Sequence, residues 1–580
     1  MRDRRKDRSP GMSTRKPTRR TFLKAAGAAV GASAFGKGLS AFAGEAAGAT
    51  QLGQIKHIVV LMLENRSFDN VLGWLYDPDN APPFNQVPAG QSFDGLSGKT
   101  LTNPVPASHG GGTASPGKET VMFNPNPDPG EPYDDVYAQL FNANPPPSPI
   151  PNTTDVPGMQ GFVNNYAVNV DAYNADHPAD PILADPRIIM NAYTPATLPV
   201  LNGLAGAYAV CDHWFCSVPS ETFCNRSFVH AGTSSGYVYN SWSTGPHEWN
   251  VGFLFNKTPT IYNLLEAAGI SWKVYYGSIL PFCNAWLCQE QTQQFATASA
   301  DTNRFFPMPQ FFTDAAAPVG ASGPDSLPSF SFIEPVYMDS GDFGPENDGH
   351  PEANPVDLVG PSNLLQAEKL VYDVYTALRN SPNWDSTLLI ITCDEHGGCY
   401  DHVPPSPTIS PDGVVVPPTS PGGSGFEFNR LGVRVPTILV SPWIPQGTVS
   451  NTVYDHTSII RTAINCFGLT DPSGNPAHLQ ARDAIASDVA SVLTLSAPRT
   501  DTPHITPRPT DAFDATIDRP LSGFQANLVG AAAAVLQNQG RSLPFSLQIE
   551  TTQEATTTFK RYEDNIRRKN SKATPKPKKK

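Results

Sequence analysis

Long apolar runs are almost absent from this chain of 580 residues. The one weakly apolar stretch, near the N-terminus, is too short and too rich in glycine to make a good membrane-spanning helix. No other segment approaches the roughly 20 apolar residues that crossing a bilayer takes. Charge is sparse as well: Asp, Glu, Lys and Arg make up 16% of the residues, and 59 are proline. That composition excludes coiled coils and predicts many ordered loops. There is no internal repeat, which sets repeat architectures aside. Net positive charge is confined to the two ends. Residues 1–43 carry a net +9 and residues 560–580 a net +8, so residues 44–559 hold -30 of a formal total of -13. An acidic body argues against a nucleic-acid groove, and no nucleic-acid partner is expected. The eight cysteines, Cys211, Cys216, Cys224, Cys283, Cys288, Cys393, Cys399 and Cys466, lack the tight clusters and accompanying His pattern of metal-thiolate sites. Their even number allows disulfides in an oxidising compartment, with Cys283 and Cys288 close together in a predicted loop.

What is present begins with the leader. Thr18-Arg19-Arg20-Thr21-Phe22-Leu23-Lys24 is followed by an Ala/Gly-rich run that ends in Ala41-Phe42-Ala43, a small-x-small cleavage pattern. This order resembles a twin-arginine signal peptide. It implies that residues 1–43 are a leader read by the twin-arginine export machinery, and that the protein is periplasmic or secreted.

The stretch around which the rest is organised is Ile55 to Leu75. Ile58-Val59-Val60-Leu61-Met62-Leu63 reads as a strand buried on both faces. It gives way at once to Glu64-Asn65-Arg66-Ser67, and a helix is predicted from Phe68 with Ser67 as its N-cap. In open α/β sheets ligands bind where strands end and helices begin. A carboxylate and a carboxamide at that point both offer oxygen to a hard cation.

Further along, residues 77–185 are rich in Pro, Gly and Asn and read as long loops over a scaffold. They include Asp128-Pro129-Gly130-Glu131 ahead of a helical stretch, Val136 to Phe141. A helix-like pattern runs between Ile188 and Cys211. Strand-like residues then turn through Ser217-Val218-Pro219-Ser220-Glu221-Thr222 into a helix predicted from Asn225. A hydroxyl beside a helix N-terminus is well placed for chemistry at phosphorus, although Thr is also an ordinary cap. Predicted elements then alternate: a helix at Thr258–Ala268, strands at Ser271–Gly277 and Pro328–Ile333, and an amphipathic helix at Asn363–Arg379. A buried strand, Thr387–Thr392, ends in Cys393-Asp394-Glu395-His396-Gly397-Gly398. Another follows at Val435–Val440, then a helix at Asp455–Phe467, and a small helix at Leu528–Leu536. The alternation predicts an α/β fold with a mainly parallel central sheet and helices on both faces. If the two strands ending in Glu64-Asn65 and Asp394-Glu395 are central and parallel, three carboxylates and an amide oxygen meet at one sheet edge. Thr222 would then be the nucleophile beside them. No Ser-His-Asp order is visible, which suits activation by metal.

Six motifs occur in order: Glu64-Asn65-Arg66-Ser67-Phe68-Asp69; Thr222-x-x-Asn225-Arg226; His350-Pro351; Asp394-Glu395-His396-Gly397-Gly398-x-Tyr400-Asp401-His402-Val403-Pro404-Pro405; Gly432-Val433-Arg434-Val435-Pro436; and Asp455-His456-Thr457-Ser458. Together they resemble the phosphoesterase family of bacterial and plant non-specific phospholipases C and bacterial acid phosphatases, over roughly residues 55 to 470. The resemblance implies an alkaline-phosphatase-like α/β/α sandwich with long loop insertions and a metal-dependent phosphoester hydrolase. Glu64, Asn65, Asp394 and Glu395 are then the ligands of one divalent ion, with calcium, magnesium or manganese the most compatible with oxygen donors. Thr222 is the residue that becomes phosphorylated, and His350 is expected near the leaving group. Asn225 and Glu131 complete the set of catalytic candidates. Two departures stand out: Cys224 where the family often has Pro, and Glu131 where it often has His.

The expected organisation is therefore the leader, a phosphoesterase domain over 44–495, and a C-terminal extension over 496–580 ending in a disordered basic tail. At most peripheral contact with a membrane is expected of that tail. The expected activity is that of a phospholipase C-like hydrolase on a phosphoester, with phospholipid as the candidate substrate. An acid phosphatase on the same scaffold is the alternative. A secreted binding protein without turnover is a third reading, which the intact site residues disfavour.

Overall fold

An aliphatic run with no polar face must be covered on both sides, and His57–Leu63 is: Ile58 to Leu63 are all buried. The computed structural model describes residues 51–179, 181–240, 258–277, 304–338, 344–351, 363–420 and 423–510, with six single positions beyond. The leader, the Cys283–Cys288 loop, the basic tail and, apart from Val529, the helix expected at 528–536 lie outside the described residues. One sheet holds eight strands: β1 (His57–Leu63), β2 (Ala209–Cys211), β3 (Trp272–Tyr276), β4 (Phe305–Pro307), β5 (Phe330–Glu334), β6 (Thr387–Cys393), β7 (Thr437–Val440) and β8 (Thr448–Ser450). Their spatial order is β8-β2-β7-β6-β1-β5-β3-β4. All neighbours are parallel except β7, which runs against both β6 and β2. The mainly parallel α/β sheet expected from the sequence is thus present.

The helices are α1 (Phe68–Leu72), α2 (Tyr133–Phe141), α3 (Phe162–Asp176), α4 (Pro199–Ala207), α5 (Thr222–Ala231), α6 (Ile261–Ala267), α7 (Pro309–Ala315), α8 (Leu364–Arg379), α9 (Thr457–Phe467) and α10 (Ala481–Ile485). They cover both faces, as strand alternation requires. On one face Tyr275 of β3 packs edge-on against Phe311 of α7, and its hydroxyl donates to Asp314 at 2.6 Å. On the other, Trp272 packs against Tyr262 of α6, and Phe332 of β5 meets His230 of α5 at 4.7 Å between ring centroids. Each aliphatic side chain buried in these layers contributes about 1.5–3 kcal/mol.

Several sequence expectations need correction. The helix foreseen from Asn225 starts at Thr222. The helix-like pattern between Ile188 and Cys211 resolves into α4 and strand β2. Residues 77–185 are not only loops. They include the 15-residue α3, whose Phe162, Val163, Tyr166, Ala167 and Val170 are buried behind a sequence crowded with Asn. With Val136 and Leu140 of α2 and the loop residues Tyr400 and Val433, Phe162, Val163, Tyr166 and Val170 form a smaller second core. That core fixes the loop layer to the site described below. No disulfide joins any two of the six cysteines among the described residues.

Candidate active site

Register decides the site. β1 and β6 pair in parallel from His57↔Thr387 through Leu63↔Cys393. The next two residues of each strand, Glu64-Asn65 and Asp394-Glu395, therefore emerge side by side, and all four are fully buried. Asn65 adopts a left-handed backbone (φ 51°), and its N–H donates to Asp394 Oδ1 at 3.1 Å. Gly397, at φ 59°, lies so close that a Cβ there would stand 2.1 Å from the Asn65 carbonyl oxygen. Only glycine permits that approach.

Helix α5 brings in the hydroxyl. Thr222, its first residue, places Oγ1 3.1 Å from Glu64 Oε2 and 3.3 Å from Asn65 Oδ1. Four residues on, and so on the same helix face, Arg226 donates through Nε to Asp394 Oδ2 at 2.9 Å and through Nη2 to Glu64 Oε1. The guanidinium and both carboxylates are fully buried. The sequence displayed Arg226 in a motif but assigned it no role; its spacing from Thr222 was the available signal. Asn225 does not face the carboxylates. Its side chain bonds Val218 N and the carbonyls of Val218, Ser220 and Glu221, and so shapes the turn that delivers Thr222. Glu221, just before Thr222, accepts from Asn240 N at 2.8 Å, and burial lifts its carboxyl to about 8.

Glu131 and His350 complete the cluster. Glu131 accepts a hydrogen bond from Asn65 Nδ2, and its Oε1 lies 3.4 Å from His350 Nε2. With Asp128 they form a group whose ligand-capable atoms all lie within 4.8 Å of one another. The Glu131 loop is seated by Gly398, where a Cβ would be 2.6 Å from Pro129 and 2.8 Å from the Gly130 carbonyl. Gln139 holds it too, donating to the Gly130 carbonyl at 2.7 Å and pairing with His396 at 2.7 Å. His350 Nδ1 pairs with the Pro351 carbonyl at 2.5 Å, and burial brings the ring down to about 4. His350 is therefore neutral near pH 7, not poised near its free value as a surface His would be.

Burial first, then the charges of neighbouring acids, raises the carboxyls of Glu64, Glu131 and Glu395 well above the usual range; Arg226 opposes this at Glu64. When ionised, Glu64, Asp394 and Glu395 bring three negative charges, and Arg226 returns one. Glu395 Oε2 accepts from Gly397 N at 2.8 Å, while its buried Oε1 has no hydrogen-bond partner. A buried carboxylate oxygen without a donor is costly. Glu64, Asp394 and Glu395 are not among the groups of described residues whose ligand-capable atoms all lie within 4.8 Å of one another; what they offer a hard divalent cation is oxygen chemistry, an excess of two negative charges and one unsatisfied oxygen.

The remaining motif residues brace the site. His456 pairs with the Asp394 carbonyl at 2.6 Å. Asp455 Oδ2 accepts from Ser217 at 2.9 Å, which ties the start of α9 to the turn before Thr222. Asp401 and Asp69 each accept from buried Arg434 at 2.9 Å, and His402 Nδ1 pairs with Asp69 at 2.6 Å. Although Asp69, Asp401 and His402 could reach one ion, Arg434 and a protonated His402 together already balance the two carboxylates.

The chain matches the Phosphoesterase family over residues 55–470. It is 32% identical to non-specific phospholipase C3 of Arabidopsis thaliana, over 86% of this chain and 86% of that protein. It is 29% identical to phospholipase C B of Mycobacterium tuberculosis, over 83% of this chain and 86% of that one. Among solved structures, a protein in the alkaline phosphatase superfamily from Vibrio parahaemolyticus aligns with 50% of this chain and 63% of its own, at 13% identity and a TM-score of 0.27.

Proposed function

The chain belongs to the phosphoesterase family, and on that premise we propose that it is an exported, metal-dependent phosphoric ester hydrolase of phospholipase C type acting through Thr222. The observation that carries this reading is the placement of Thr222 Oγ1, 3.1 Å from Glu64 Oε2 and 3.3 Å from Asn65 Oδ1, at the start of a ten-residue helix. Glu64, Asn65, Asp394 and Glu395 would hold one divalent cation, which supplies charge to stabilise the threonine alkoxide and a phosphoryl oxygen. The α5 N-terminus adds a favourable dipole for the phosphoryl anion.

Thr222 Oγ1 passes its proton to Glu64 Oε2, to which it donates at 3.1 Å, and attacks phosphorus; the bond from phosphorus to the leaving oxygen breaks, and water then hydrolyses the phosphoryl-threonine. The Glu131–His350 pair is placed to hold the proton that the leaving oxygen takes up. Arg226 keeps two carboxylates fixed as charge moves, and Asn225 holds the turn before Thr222. Two relatives carry phospholipase C in their names, which supports a phosphodiester lipid as substrate. The Arg19-Arg20 leader supports export by the twin-arginine machinery.

The test is turnover of phosphatidylcholine and of p-nitrophenyl phosphate by purified protein, before and after chelation and re-addition of calcium, magnesium or manganese. Metal-restored release of phosphocholine is expected. Activity on the monoester alone would replace this reading with an acid phosphatase, and full activity in metal-free protein would remove the metal from it. No turnover of either ester with metal supplied would favour a binding protein.

A further inference from the structure

Arg66 follows the Glu64-Asn65 pair directly and is 1% exposed. Its Nε donates to the Gly349 carbonyl at 2.6 Å and its Nη1 to the Asn124 carbonyl at 2.6 Å, with Asn70 Oδ1 at 3.4 Å. None of these acceptors is a carboxylate. A guanidinium is costly to bury without an ion-pair partner, so its position calls for an account in terms of what it joins. Gly349 immediately precedes His350. Asn124 opens the short path to Asp128 and Glu131. These two segments come from distant parts of the chain, and Arg66 reaches both from the end of β1.

We propose that Arg66 is a positioning residue: its planar fork locks the Asn124–Glu131 and Gly349–His350 loops to the strand end that carries Glu64 and Asn65. Both loops also reach the strand end by single bonds, Glu64 N to the Asp348 carbonyl at 2.9 Å and Asn65 Nδ2 to Glu131. The fork adds a rigid angle between them. It sets Glu131 Oε1 and His350 Nε2 3.4 Å apart beside Thr222. Lysine is not equivalent: its three donors diverge from one nitrogen at the end of a flexible stem, whereas the guanidinium presents Nε–H and Nη1–H from one rigid plane. The effect on turnover rests on the hydrolase reading given above; the brace itself does not.

The experiment compares wild type with R66K by hydrogen exchange, divalent-ion stoichiometry and steady-state kinetics. Peptides spanning 122–131 and 344–351 are expected to exchange about tenfold faster in R66K, with β1 and β6 unchanged. The ion content is expected to stay at the wild-type value. The rate constant kcat should fall about a hundredfold with a smaller change in KM, the scale of loss for a group displaced by about 1 Å. Loops that exchange at wild-type rates would overturn the proposal, as would loosened loops with wild-type kcat. Loss of bound metal would also overturn it, by placing the effect on the carboxylates. A wild type inert on every phosphoester tried, with loosened loops in R66K, would defeat the hydrolase reading and leave the brace standing. R66Q, neutral and with one donor group, repeats the comparison should R66K prove too unstable.

Discussion

Replacing Thr222 with alanine separates chemistry from structure at this site. The lost hydroxyl makes two contacts, at 3.1 Å to Glu64 and 3.3 Å to Asn65. Both partners keep other bonds: Glu64 to Arg226, and Asn65 to Glu131 and Asp394. No cap is lost, because Glu221 rather than Thr222 is the N-cap residue of α5. The hydroxyl has one proton to share between these two acceptors, so with a hydrogen bond worth about 0.5–1.5 kcal/mol net, T222A should lose about 0.5–1.5 kcal/mol of stability. Loss of a covalent nucleophile is a different scale, about a thousandfold or more in kcat. T222S presents the same oxygen and should retain appreciable turnover. The assay is kcat on phosphatidylcholine beside denaturant unfolding and metal content. Mass analysis of acid-quenched wild type should find a phosphoryl group on the peptide holding Thr222. A folded, metal-loaded T222A with near-normal turnover would refute the nucleophile and leave Thr222 a helix-start residue.

Three further outcomes follow from the same geometry. R226Q leaves Glu64 and Asp394 buried without their guanidinium, which should cost about 3–5 kcal/mol in chelated protein and less with a divalent ion present; an equal loss in both conditions would show that no cation shares that charge. His402, 8% exposed at its side chain, is raised by Asp69 and Asp94, against the cost of burial, to about 9. Its folded value lies above the unfolded one, so its contribution of about 3 kcal/mol is full below about pH 6.5 and is lost as pH rises through about 9; unfolding of H402Q against pH should lack that decline, and an unchanged profile would exclude the His402–Asp69 pair as its source. Arg19-Arg20→Lys-Lys should keep the precursor inside the cell, as followed by fractionation; normal export would exclude the twin-arginine route.

Much of the site was legible because its elements are local. A strand that must be buried on both faces shows as an unbroken aliphatic run, and its end shows as a sudden change to Glu64-Asn65 or Asp394-Glu395. Ser67, read as a cap, does accept from Asn70 N at 3.1 Å. Short edge strands such as Phe305–Pro307 and Thr448–Ser450 carry only three residues each, too few for a period to register. Helix α3 was hidden because its buried stripe alternates with Asn, which favours loops in isolation.

Fold class, family and the acidic pairs could therefore be read along the chain, since hydrophobic pattern and motif order are one-dimensional properties. Which groups meet was settled by packing. The β1–β6 register sets Glu64 beside Asp394 across 330 positions of chain. The pitch of α5 turns Arg226, not Asn225, toward the carboxylates. Burial, which no single position encodes, makes His350 neutral and lifts the acids around it. Charge and proton affinity at this site depend on what surrounds each group in space, and that is settled when distant segments pack together.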